Sequence, residues 1–292
     1  MPEHERNEFE SDNSDHDLIK LTKTLAGFRA PAYDVEAELQ RMLKNREAAK
    51  SAKVVSLISI SSVLRIAAVL LIGLSAYFLL TRENLVRIES LAGNKKEVLL
   101  PDSSRVILNS LSVVQYSENE WAENRIIQLD GEAFFEVKKG STFRVETSSG
   151  TVQVLGTKFN TKDRNGFYEV SCYEGKVRVQ YDDKRVELTR DETFRIINGE
   201  STLTKLESAS SNPTWLENES TFSSVPFSQV LEEFERQYGV EIEVVNVDVN
   251  QLFTGRFVHD NLTLGLDAIS ISFNLSYTLV NEKKIFLSGD IK

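Results

Sequence analysis

The stretch LRIAAVLLIGLSAYFLLT, residues 64–81, is the only long apolar run in the chain and divides it into two parts of different character. A bilayer core is about 30 Å thick, and spanning it takes roughly 17–25 helical residues. The run reaches this length if Arg65 and Arg82 extend their charged ends toward the headgroups. A buried helix of a soluble domain would carry a polar face, and a cleavable signal peptide would lie nearer the N-terminus. The run therefore predicts one retained transmembrane helix.

Basic residues are more frequent before this run than after it. Because positively charged flanks stay in the cytoplasm, the imbalance predicts a cytoplasmic N-terminus and an extracytoplasmic C-terminal part. The flanking basic residues are Arg41, Lys44, Arg46, Lys50, Lys53 and Arg65 on the N-terminal side, and Arg82, Arg87, Lys95 and Lys96 on the C-terminal side.

The composition excludes several functions. The 292 residues carry a net charge of −10, which argues against direct nucleic-acid binding because phosphate contacts need clustered Lys and Arg. The single cysteine, Cys172, excludes an intrachain disulfide and is expected to be a small buried residue. The three histidines are scattered, so neither a metal site nor a cofactor is expected.

Catalytic patterns are also missing from the sequence. It contains no GxSxG, P-loop or HExxH motif and no Cys–His constellation. Glu132, Glu136 and Glu174 could in principle act as paired acids, but we interpret them as solvated strand residues. A protein that is not an enzyme is therefore predicted.

The segment before the apolar run separates into a tail and a helical part. Residues 1–17 are acidic and almost without apolar side chains, which predicts disorder. Residues 18–55 show two apolar stripes at helical spacing, with Asp34 as a cap for the second. Two short helices bury too little surface for a stable domain, so the stripes predict a partner-binding face; packing on the membrane or as a coiled coil is the alternative. The proposed binding residues are Leu21, Leu25, Leu39 and Met42.

Residues 87–206 predict an all-β middle domain. Short β-rich runs recur about every ten residues and are separated by turn signals such as Asp130-Gly131 and Asn165-Gly166. Alternation does not distinguish a sandwich from a short solenoid, and both remain open.

Residues 215–290 predict a small α+β domain after the polar stretch 208–213. Phe227, Val230, Leu231, Phe234 and Tyr238 share one helical face, with Pro226 in the first turn and Gly239 just past the end. A strand follows, then a second strand, a second helix and a closing hairpin.

The middle domain resembles the FecR family of membrane-bound anti-sigma regulators at five places in order. The matching stretches are LPDSSRVILN (100–109), DGEAFFEV (130–137), FRVET (143–147), VLGTKFN (154–160) and YEGKV (173–177). Ser103 departs from the family, which usually has glycine there. The glycines mark tight turns, and Phe135, Phe143 and Phe159 are candidates for one shared core.

The C-terminal domain is similar to the C-terminal module of these regulators and to the short N-terminal domain of secretins and TonB-dependent receptors. The match is carried by Trp215, Phe222, RQYGVEI (236–242) and FTG (253–255). The resemblance implies a single-pass protein of the bacterial inner membrane with its C-terminus in the periplasm.

The resemblance also implies the partners. Residues 18–55 would bind an extracytoplasmic-function sigma factor, and residues 215–290 would contact the signalling domain of a TonB-dependent outer-membrane receptor. Because the C-terminal module is small and follows a polar linker, we expect it to engage this partner by strand addition or through its helical face without disturbing the β domain. The alternative is a membrane-tethered periplasmic binding or scaffold protein without a sigma factor.

Overall fold

The computed structural model describes residues 22–23, 34–50, 60–80, 85–206 and 211–289. The chain forms two compact units, residues 1–78 and 79–292. The first unit contains helix α1 (Val35–Lys50) and most of helix α2 (Ile60–Leu80). Asp34 caps α1 as predicted, because its Oδ1 accepts a hydrogen bond from the Ala37 amide at 3.1 Å. The predicted disordered tail lies outside the described residues.

No helix among the described residues combines the length and apolarity expected of a membrane span.

Residues 85–206, hereafter the β module, contain strands only. The strands are β1 (Leu85–Glu89), β2 (Lys96–Leu99), β3 (Arg105–Leu108), β4 (Val113–Ser117), β5 (Arg125–Glu136), β6 (Phe143–Glu146), β7 (Thr151–Val154), β8 (Lys158–Arg164), β9 (Phe167–Glu174), β10 (Lys176–Tyr181), β11 (Lys184–Thr189), β12 (Glu192–Ile197) and β13 (Glu200–Lys205).

The β module is a sandwich of two sheets, which answers the question that alternation left open. The first sheet contains β1, β4, β6, β7, β10 and β11, and the second contains β2, β3, β8, β9, β12 and β13. The 12-residue strand β5 belongs to both: its first half pairs with β4 and β6, and its second half pairs with β3 and β8.

The turn expected at Asp130-Gly131 is wrong, because β5 continues through it and passes from one sheet to the other. Gly131 has φ +115°, and a Cβ there would lie 2.7 Å from the Ser112 hydroxyl. A glycine is therefore needed to bend the strand between neighbours that approach its backbone closely.

Both sheets contribute to one hydrophobic core. Phe135 stacks on Phe159 with ring centroids 4.8 Å apart and meets Phe143 edge-on at 6.1 Å, so the predicted shared core is confirmed. Cys172 is fully buried in the same core. Ser103, at the position where the family usually has glycine, adopts φ +63°; the turn keeps a glycine-like conformation despite the side chain.

Residues 211–289, hereafter the C-terminal module, have the predicted α+β element order. After a 3-10 turn (Thr214–Glu217) come β14 (Glu219–Pro226), α3 (Phe227–Tyr238), β15 (Glu241–Val245), β16 (Leu252–Val258), α4 (Leu262–Ile271), β17 (Ser276–Asn281) and β18 (Lys284–Ser288). β14 pairs with β16, while β15, β18 and β17 form a second small sheet in that order.

Helix α3 lies where the apolar spacing places it. Phe227, Val230 and Phe234 are completely buried in the module core. Gly239 ends the helix in the left-handed region at φ +66°, and its amide bonds the Glu235 carbonyl.

Candidate functional site

The second sheet of the β module faces the C-terminal module, and we call the contact surface between them the junction. The outer face of this sheet presents side chains that alternate with those pointing into the sandwich core. Helix α3 and the 3-10 turn cover that face. The expectation that the C-terminal module can engage a receptor without disturbing the β module stays a prediction.

A buried charge cluster occupies the helix side of the junction. Lys162 Nζ on β8 lies 3.1 Å from Glu233 Oε2 on α3 and 3.6 Å from Glu132 Oε2 on β5. Arg236 Nη2 lies 3.0 Å from Glu233 Oε2. The side chains of Glu233 and Glu132 are 3% and 7% exposed, so this is an ion cluster removed from water.

Amide and hydroxyl groups complete the cluster. Gln237 Nε2 donates to Glu233 Oε1 at 2.7 Å and to Asn109 Oδ1 at 2.8 Å. Asn109 Nδ2 donates to Glu132 Oε2 at 2.9 Å, and Ser110 Oγ donates to Gln237 Oε1 at 2.9 Å. The loop after β3 is thus connected to both carboxylates, as a buried polar group requires.

The cluster keeps its charges despite burial. Burial by itself would raise the pKa of Glu233, but the positive charges of Lys162 and Arg236 and the Gln237 hydrogen bond outweigh it and hold that pKa well below its usual range. Burial would lower the pKa of Lys162, and the carboxylates of Glu132 and Glu233 instead raise it. The lowered pKa of Glu233 and the raised pKa of Lys162 both favour the charged forms of these two side chains.

Trp215 fills the other side of the junction. Its ring is 5% exposed and packs with Ile107, Phe134 and Tyr173 of the β module. Its Nε1 donates to Asn160 Oδ1 at 3.2 Å, while Asn160 Nδ2 donates to Glu132 Oε1 at 2.9 Å. The apolar contact and the charge cluster are therefore one connected surface.

The loop between β1 and β2 also contacts the C-terminal module. The Gly93 amide donates to the Arg236 carbonyl at 2.9 Å, and Lys95 Nζ donates to the Leu216 carbonyl at 3.2 Å. These bonds fix the loop against both ends of the junction.

A cleft of about 490 Å³ remains between the modules beside Trp215. Its walls include Ser171 and Thr193, whose hydroxyls bond each other at 2.8 Å, and Arg195, whose Nε lies 2.5 Å from Glu169 Oε2. These four polar side chains are already paired with each other, and we interpret the cleft as incomplete packing between the modules.

The interpretation of Glu132 as a solvated strand residue is wrong. A signal was present in the sequence: Phe134 and Phe135 are adjacent, so both faces of β5 must be covered, and Glu132 shares a face with Phe134. Glu136 lies at the partly exposed end of this face and is 3.5 Å from Arg105. In α3, Glu233 and Gln237 form a polar stripe beside the apolar one.

The predicted sigma-binding residues are only partly described. Leu39 and Met42 lie on α1 and are 50% and 64% exposed. Leu21 and Leu25 lie outside the described residues. Within the described ranges, no group of three or more His, Cys, Asp or Glu could hold a metal ion.

The two docked modules can each be compared with known protein families. The β module matches the FecR protein family over residues 86–178, and the C-terminal module matches the family FecR, C-terminal, over residues 219–287. The chain belongs to the FecR family, a regulatory and non-enzymatic kind of protein.

Solved structures show the same architecture. Two crystal structures, at 1.65 and 2.50 Å, of a protein from Parabacteroides distasonis ATCC 8503 assigned as an anti-sigma factor are 29% identical to the chain. They give TM-scores of 0.65 and 0.66 and cover 70% and 71% of this chain and 100% of theirs. No curated protein sequence matches the chain.

Proposed function

We propose that this chain is an anti-sigma regulator that relays a signal from an outer-membrane TonB-dependent receptor to a cytoplasmic extracytoplasmic-function sigma factor. The observation that carries the proposal is the pair of FecR family matches on two modules that are docked to each other. The similarity to structures assigned as an anti-sigma factor supports it.

The sigma factor binds residues 18–55 in this proposal. The described part of this segment is helix α1, whose apolar residues Val35, Leu39, Met42 and Leu43 are 46–65% exposed. These positions lie on one side of the helix, and a partner helix would cover them. Residues 1–63 are expected to co-purify with a sigma factor; recovery of the fragment without one would favour the scaffold alternative.

Residues 64–81 anchor the chain in the inner membrane in this proposal. The large apolar side chains of α2 between Val63 and Tyr77 are 52–69% exposed, which suits a helix surrounded by lipid. The basic flank supports a cytoplasmic N-terminus.

Topology is tested with reporter fusions. Alkaline phosphatase fused after Cys172 is expected to be active because the β module lies in the periplasm, and the same enzyme fused before Lys53 is expected to be inactive. Activity of the fusion before Lys53 would reverse the orientation.

The receptor contacts residues 215–290 in this proposal, and strand β17 is the surface that suits it best. Among the described strands, β17 pairs only with β18, and its residues Ser276–Asn281 carry no charge. Leu279 and Val280 are 49% and 57% exposed. An edge strand without charges can accept a strand from a partner. The opposite edge, β15, carries Glu241 and Glu243 and is less suited.

A charge on the β17 edge is expected to weaken receptor binding. Val280→Lys should reduce the affinity for the receptor's signalling domain by about tenfold or more, since a lysine opposes strand addition. Val245→Lys on β15, which is 40% exposed, is the matched control and should bind normally. If Val280→Lys binds the signalling domain as tightly as Val245→Lys does, the contact does not lie on β17, and the helical face of the module becomes the candidate.

A further inference from the structure

Each module has a hydrophobic core of its own, which Phe167 of β9 extends from the C-terminal module to the β module, and the junction also contains groups of a different chemistry. The sandwich core and the core around Phe227 and Phe234 consist of apolar side chains. Across the junction, charged and amide groups bond one another, and the apolar contacts are the small group around Trp215 together with Phe167 and Ile197, which pack on the core of the C-terminal module.

The charged and amide contacts fix the relative position of the two modules more than they stabilise the docked state. The attraction between Lys162 and Glu233 is offset by the cost of removing both from water, so a buried ion pair adds little net stability compared with apolar packing. When the surfaces separate, Lys162, Glu132, Glu233 and Arg236 regain water. Opening therefore costs less than unfolding either core.

Incomplete packing at the junction further lowers the free-energy cost of opening it. The cleft of about 490 Å³ lies against Trp215 and reaches Glu132 and Glu233. A close-packed interface would lose many atom contacts on opening, whereas this one already lacks atom contacts along the cleft.

We propose that the junction is a latch that opens and recloses while both modules stay folded. Helix α3 leaves Lys162 and Glu132, and the outer face of the second sheet becomes accessible. Opening of the latch involves only the β module and the C-terminal module and requires neither the sigma factor nor the receptor. If the latch does not open, the proposed function is therefore unaffected.

Thiol labelling of the full-length chain in nanodiscs tests the latch. Ser110 is 1% exposed and bonded to Gln237, so Ser110→Cys places a thiol beneath α3. Cys172, fully buried inside the sandwich, is a built-in control. Maleimide should label the thiol at position 110 at least about tenfold faster than Cys172, because local opening is more frequent than unfolding.

Two further variants connect the labelling to the charge cluster. Glu233→Gln should increase the rate at position 110 by about tenfold, because Lys162 and Arg236 lose their shared partner. Glu243→Gln, which breaks the exposed 2.8 Å pair with Lys284 inside the C-terminal module, should leave the rate unchanged.

A disulfide should close the latch permanently. A Cβ built on Gly239 lies 3.5 Å from the Ala92 Cβ, within the range of about 3.5–4.5 Å that disulfides use. The substitutions Ala92→Cys and Gly239→Cys are added to the Ser110→Cys chain. When their disulfide is oxidised, labelling at position 110 should slow to the rate of Cys172, and reduction of the disulfide should restore the faster rate. The single Gly239→Cys variant controls for the strain of a side chain at φ +66°. Equal labelling of positions 110 and 172 in the unlocked chain would overturn the proposal.

Discussion

Replacing Trp215 with alanine is expected to lower the free energy of unfolding of the β module and the C-terminal module by about 3–5 kcal/mol. The indole is 5% exposed, and its removal leaves a cavity against Ile107, Phe134 and Tyr173. It also leaves Asn160 Oδ1 without its donor. The C-terminal module should then unfold or undock before the sandwich does.

Denaturant unfolding of a fragment beginning at Leu79 measures this loss. Trp215→Phe should lose less stability, since a phenyl ring refills part of the cavity. Leu155→Ala, at a side chain that is 63% exposed, is the control and should change stability by less than about 0.5 kcal/mol. A loss for Trp215→Ala of no more than this would contradict the packing described for the junction.

The double variant Leu25→Asp/Leu39→Asp is expected to abolish sigma-factor binding. Each leucine buried on a partner contributes roughly 1.5–3 kcal/mol, so losing two weakens binding by about a hundredfold or more. Titration calorimetry of residues 1–63 with the sigma factor measures the effect.

A second double variant controls for added charge. Gln40→Asp/Asn45→Asp also introduces two carboxylates into exposed positions of α1, but both lie off the stripe formed by Leu39 and Met42. It should bind as the unaltered fragment does. Equal loss in both variants would mean that charge, and not the apolar face, controls binding.

Local patterns in the sequence predicted most of the secondary structure. The β-rich stretch 105–108 is a strand, and Phe227, Val230 and Phe234 form the apolar face of helix α3. These elements depend on periodicity and on end signals such as Pro226 and Gly239, which act within a few residues.

Features that depend on distant pairing could not be predicted in the same way. Asp130-Gly131 reads as a hairpin turn, and only the pairing of β5 with four other strands shows that it bends between sheets. Glu132 reads as solvated because its counterion and covering helix come from β8 and α3. The charge cluster has no local motif, since its members become neighbours only when the modules dock.

Purification of the full-length chain from host membranes tests the central claim most directly. A chain tagged at its C-terminus should bring down an extracytoplasmic-function sigma factor identified by mass spectrometry, and the Leu25→Asp/Leu39→Asp variant should bring down none. The wild-type chain and the Leu25→Asp/Leu39→Asp variant must be present in the membrane fraction in equal amounts. A wild-type chain that recovers no more sigma factor than this variant would contradict the account.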